Sequence, residues 1–157
     1  ELLATSVELN VVDGVILPNL KMQGTREACA YLDVEGRCSI HPYRPGICRL
    51  FPLGRHYENG GLFYFLQTGE CAKENRSKVK VSKWIDTPEL KRNEQFKLQW
   101  HDLLSAMTDR VAGEDEGKQR EENLLLLRLF YLLPYEGTTD FYSQFTERME
   151  HWNEQIG

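Results

Sequence analysis

Leu53-Gly54-Arg55-His56-Tyr57-Glu58-Asn59-Gly60-Gly61-Leu62-Phe63-Tyr64-Phe65-Leu66 reads as two strands meeting at a glycine turn. The second arm is aromatic and aliphatic, a composition that suits a pleated, half-buried surface. Asn-Gly supplies the positive φ that a tight hairpin turn requires. The reading predicts a hairpin from Leu53 to Gln67 with its bend at Asn59-Gly60-Gly61. The same logic works upstream. Val7–Val12 alternates, Asp13-Gly14 is a turn signal, and Val15–Leu20 can return as the partner strand. A further hairpin is expected from Cys29 to Ile40, turning at Glu35-Gly36. The three prolines between His41 and Pro52 predict irregular chain with at most one helical turn, opening at Pro45. Glu1–Ser6 reads as the end of a helix.

Downstream the texture changes. Thr87 suits an N-cap and Pro88 the first helical position. Phe96, Trp100, Leu103, Leu104, Met107 and Val111 then recur at helical spacing, and Gly113 ends the element. Gly113–Gly117 reads as an exposed loop. A second helix is expected from about Lys118 to Leu133, stopping before Pro134. Its Leu124–Leu133 part is apolar nearly all round, which predicts a buried, central element. A last helix carries Phe141, Phe145, Met149, Trp152 and Ile156 on one stripe. The expected fold is therefore α+β. A small, irregular, cysteine-rich β-hairpin region over residues 1–86 packs on a C-terminal antiparallel three-helix unit over 87–157, as two regions or one continuous domain.

The chain has 157 residues, enough to bury a core without covalent staples. Its net charge of −5 argues against a dedicated nucleic-acid binder, which would be basic. No stretch reaches the ~18 apolar residues of a membrane span. No signal peptide is visible, so a cytoplasmic location is expected. The chain opens on Glu1 rather than Met, which predicts a piece of something longer. A protein partner is expected to be compatible with these features, though none is named by them.

All four cysteines, Cys29, Cys38, Cys48 and Cys71, lie in the first region, spaced C-x8-C-x9-C-x22-C. Thiolates are soft anionic ligands suited to zinc or an iron–sulfur cluster. Two disulfides and four unrelated buried thiols are the alternatives. No gap is a short C-x2-C knuckle. Arg44 and Arg49 flank Cys48 and would stabilise its thiolate. A regular hairpin turning at Glu35-Gly36 puts Asp33 opposite Cys38. Cys29 then lies roughly 13 Å farther along at about 3.3 Å per residue. Two sulfurs on one zinc sit at most about 4.6 Å apart. Either the hairpin is irregular, or these two cysteines serve different metals and ligands are missing from the chain. His41, three residues past Cys38, is an extra ligand candidate and otherwise an ordinary loop histidine.

Cys29-Ala-Tyr-Leu-Asp33, Gly36-Arg-Cys38-Ser-Ile-His41 and Arg44-Pro45-Gly-Ile-Cys48-Arg49-Leu-Phe51-Pro52 resemble the YkgJ-type cysteine-cluster family, described as zinc- or iron-chelating domains. Cys71 and the segment Val79–Trp84 fit the same pattern. The resemblance covers roughly the first 86 residues. It implies that Cys29, Cys38, Cys48 and Cys71 are metal ligands, with zinc, or alternatively iron or an iron–sulfur cluster, as cofactor. The family's dense N-terminal C-x2-C-x2-C-C cluster is absent here. Arg44 and Arg49 are expected to brace the loop through carbonyls or carboxylates, with an anion-binding pair as the functional alternative.

Three functions follow. One is a metal-binding cysteine-cluster protein with no assigned reaction. Another is an enzyme, or enzyme component, for protein modification such as lysine N-methylation, because a similar domain occurs in flagellin lysine-N-methylases. The third is a thiol redox sensor. No phosphate-binding loop, H-E-x-x-H or nucleophile elbow marks a catalytic centre. Asp33, Glu35 and Glu70 read as solvated turn residues, and Phe63–Phe65 as core.

Overall fold

Two of the three expected glycine-turn hairpins form, and the backbone shows why. The computed structural model describes residues 6–25, 27–70 and 77–156. β1 (Val7–Val12) pairs antiparallel with β2 (Val15–Leu20), Val12 facing Val15. The two turn residues between them, Asp13 and Gly14, both have positive φ, 49° and 81°, as a two-residue turn matching the strand twist demands. β3 (Met22–Gln23) pairs with β4 (Ala28–Cys29). β5 (Leu53–Glu58) pairs with β6 (Gly61–Leu66) across Asn59 and Gly60, again with φ of 49° and 71°. Gly61 is the first residue of the returning strand, not part of the bend.

The helices are α1 (Gly46–Leu50), α2 (Val81–Ile85), α3 (Leu90–Val111), α4 (Glu116–Leu127) and α5 (Phe141–Ile156). Among the described residues the chain is thus α+β, with five α-helices and three two-stranded antiparallel sheets. No helix among them is long and apolar enough to cross a membrane. The expected helix end over Glu1–Ser6 falls, apart from Ser6, outside the described residues.

Two helix starts differ from expectation. α3 begins after Glu89, whose φ of 50° breaks the helical path, so Thr87 and Pro88 do not form its first turn. The Thr87 hydroxyl instead donates back to the Ile85 carbonyl. α4 begins earlier than Lys118, because the Asp115 carboxylate accepts from the Gly117 and Lys118 N–H groups at 2.9 and 3.2 Å.

Packing divides the chain into two compact units, Glu1–Ala30 with Asp102–Gly157, and Tyr31–His101. Composition alone changes at about residue 86.

The first unit buries Val15, Leu103, Met107, Val111, Leu126, Phe130, Phe145 and Trp152. Asn123, 3% exposed, joins β2 to α4. Its Oδ1 accepts from the Ile16 N–H at 2.6 Å. Its Nδ2 donates to the Gly14 and Gln119 carbonyls at 3.0 and 2.8 Å. Ile16 faces Val11, one step beyond the pair that closes the turn, and its N–H is taken by Asn123. Gly14 lies against α3, where a Cβ would stand 2.9 Å from Val111 Cγ2.

After Leu127 the helix loosens into one π-turn, Arg128–Leu132, closed by the Leu133 N–H on the Arg128 carbonyl. Arg148 of α5 reaches the carbonyls this leaves open. It donates to Leu129, Leu133 and Pro134 at 2.7, 2.9 and 2.8 Å, with its guanidinium 3.5 Å from the Tyr135 ring centre. The Leu124–Leu133 stretch is buried on one side only. Leu126, Leu127, Leu129 and Phe130 face inward, while Leu124, Leu132 and Leu133 are exposed. That corrects the expectation of an element buried all round.

Burial, with the neighbouring Tyr135, pushes the Tyr131 phenol up from 10.0 to about 12. The fold favours the neutral phenol. Its contribution is therefore complete below pH 10 and is lost as pH rises through about 12. Tyr131→Phe is expected to delete the latest step of a tyrosinate absorbance titration. Persistence of that step in the variant would refute the assignment.

In the second unit the hairpin presents Tyr64 to α3, where its hydroxyl lies 3.5 Å from Lys97 Nζ, and Tyr57 stacks on His101 at 3.8 Å. Burial raises the Tyr64 pKa and lowers that of Lys97. Phe63 and Phe65 face the other way. They are nearly half exposed, with His56 stacked on Phe63, so they are not the core residues expected of them.

Candidate metal centre

The loop bearing Cys48 is held at both ends. His41–Tyr43 forms one 3-10 turn, and α1 starts after Pro45, with the Cys48 N–H on the Pro45 carbonyl at 3.0 Å. Arg49 reaches back across this loop. It donates to the carbonyl of Pro42 at 3.1 Å and to that of Asp86, just past α2, at 3.1 Å. The Trp84 indole N–H lies 3.3 Å from the Leu50 carbonyl and 3.1 Å from that of Phe51. Beneath these clips Leu50 and Ile85 are buried. Cys48 is thereby carried on a fixed loop with its side chain exposed.

Cys38 sits on a second built loop. It is bridged to Leu32, and the Asp33 N–H donates to the Arg37 carbonyl at 2.8 Å. The Asp33 carboxylate accepts from the Glu35 and Arg37 N–H groups at 2.9 and 2.8 Å, and Gly36 takes φ of 76°. Arg37 also pairs with Glu35 and Asp33. Asp33 and Glu35 are therefore turn residues.

This turn is one residue longer than a two-residue bend, so Leu32, not Asp33, stands opposite Cys38. Nor is there one hairpin from Cys29 to Ile40. Cys29 belongs to β4, opposite Met22, in the first unit, whereas Cys38 and Cys48 belong to the second. The turn is wider than a two-residue bend because the Asp33 carboxylate closes it.

Cys29 and Cys38 are half-buried free thiols. Cys71 lies outside the described residues. The donor chemistry suits a soft cation. The geometry is less complete, for among the described residues no three His, Cys, Asp or Glu side chains converge on a common point. These residues by themselves do not fit a closed site.

Arg49 braces the loop through carbonyls, as its place in the motif suggested. Arg44 does not. Its Nε is buried without a hydrogen-bond partner. His41 is exposed and lines a groove with Arg44, Arg49 and Lys83. The part played by Trp84 was not readable in advance. No residue near it signals a short helix over Val81–Ile85, and its acceptors lie more than 30 residues away.

No protein-family model matches the chain, and neither a curated protein nor a solved structure does.

Proposed function

We propose that the chain is a metal-binding cysteine-cluster protein, taking zinc or alternatively iron or an iron–sulfur cluster through Cys29, Cys38, Cys48 and Cys71. The observation that carries this reading is the placement of Cys48. Cysteine is among the most often buried residue types. Here it stands exposed on a loop pinned by Arg49 and Trp84. An exposed cysteine on a braced backbone suits ligation better than packing. The Arg44 and Arg49 charges beside it in sequence favour the thiolate that ligation needs. The family resemblance of the same loop supports the reading, in which the hairpin region carries the ligands and the helices after residue 87 carry none.

Metal content and an absorption spectrum of anaerobically purified protein test it. Zinc leaves the protein colourless, and an iron–sulfur cluster colours it brown. Either is expected in stoichiometric amount, and Cys48→Ser and Cys38→Ser are each expected to remove most of it while helical circular dichroism persists. Absence of both metals from the intact protein overturns the proposal.

A further inference from the structure

Arg44, Arg49 and Lys83 line one side-open groove of about 620 Å³, together with His41, Ser82 and Asp86. Three fixed positive charges against one carboxylate leave this concave surface at +2, on a chain whose net charge is −5. Among the described residues none of the three cations forms an ion pair. Arg49 is held by two carbonyls, which orient the guanidinium without neutralising it. Arg44 Nε is a buried donor with no acceptor. Its guanidinium therefore stands on the groove wall with its charge unneutralised, available to an anion from outside.

We propose that this groove binds the dianionic oxyanion group of a small ligand, a phosphate or a dicarboxylate. The Arg44 guanidinium and Lys83 Nζ donate to the oxyanion, and Arg49 supplies fixed positive charge from the loop it braces. Asp86 opposes binding and limits the charge accepted. The groove's volume suits a small molecule. A metal at the cysteines is not required for any of these contacts.

Calorimetric titration of the full chain at neutral pH and low ionic strength, with inorganic phosphate in one arm and succinate in the other, tests the proposal. Binding of phosphate alone assigns a phosphate-bearing ligand, and binding of succinate alone a carboxylate-bearing one. Binding of both supports the shared chemistry. Arg44→Gln and Lys83→Gln are each expected to weaken binding about fivefold or more, since each removes a charge-assisted donor. Asp86→Asn keeps the carbonyl that Arg49 uses and is expected to tighten binding about threefold by removing the opposing charge. Failure of both anions to bind, or unchanged affinity in Arg44→Gln and Asp86→Asn, overturns the proposal. Metal content of Lys83→Gln and Asp86→Asn is expected to stay at the parent level, so this inference and the metal reading fail separately.

Discussion

Asn123→Leu is expected to lower the stability of the fold by about 3 kcal/mol, the range in which buried polar partners are left unsatisfied. The side chain is similar in size, so no large cavity explains the loss. What goes is the acceptor for the Ile16 N–H and the donor to the Gly14 carbonyl, 107 and 109 residues away in sequence. Both groups lie on a hairpin whose turn is pressed against Val111, which restricts access for replacement water. Urea unfolding followed by circular dichroism should show the midpoint falling with the slope unchanged. Asn123→Asp keeps an acceptor for Ile16 but loses the two donors, and should fall between. A leucine variant as stable as the parent would mean that Asn123 does not tie β2 to α4.

Arg148→Met should cost a similar amount, about 3 kcal/mol, by removing charge-assisted hydrogen bonds while keeping much of the apolar stem. Three carbonyls converge on this one guanidinium because the π-turn and Pro134 prevent normal helical pairing at that end. Lysine can point a charge there but lacks the planar fork, so Arg148→Lys should recover only part of the loss. The Tyr135 hydroxyl offers an independent readout. Burial raises its pKa, and the Arg148 charge opposes that rise. Losing Arg148 should therefore shift its ionisation to higher pH. A shift to lower pH, or none, would argue against the contact.

The two functional readings rest on different parts of one loop. Its cysteine is exposed, while its arginines line a groove of net charge +2. The braces are shared, since Arg49 fixes the loop that presents Cys48 and also contributes charge to the groove. That overlap, together with the charge of Arg44 beside Cys48, explains why substitution of either arginine would not discriminate between them, and why Lys83 and Asp86 are the informative positions.

Turns and helical stripes were legible in the chain itself. Asp13-Gly14 and Asn59-Gly60 each specify a bend through their own φ preferences, and the stripe through Leu103, Met107 and Val111 marks the buried side of a helix. These signals act over a few residues, so no distant partner is needed to read them. The ends of α3 and α4 were harder, because a single left-handed residue or one aspartate moves a boundary without changing the pattern. The placement of the cysteines was decided elsewhere. Cys29 lies opposite Met22, Cys38 opposite Leu32, and Cys48 rides on a loop clipped by Arg49 and Trp84. Asn123, Arg148 and the Arg44–Lys83 groove belong to the same class. Their chemistry depends on which carbonyls and charges the packed chain brings within 3 Å or so, and spacing along the sequence carries no record of that.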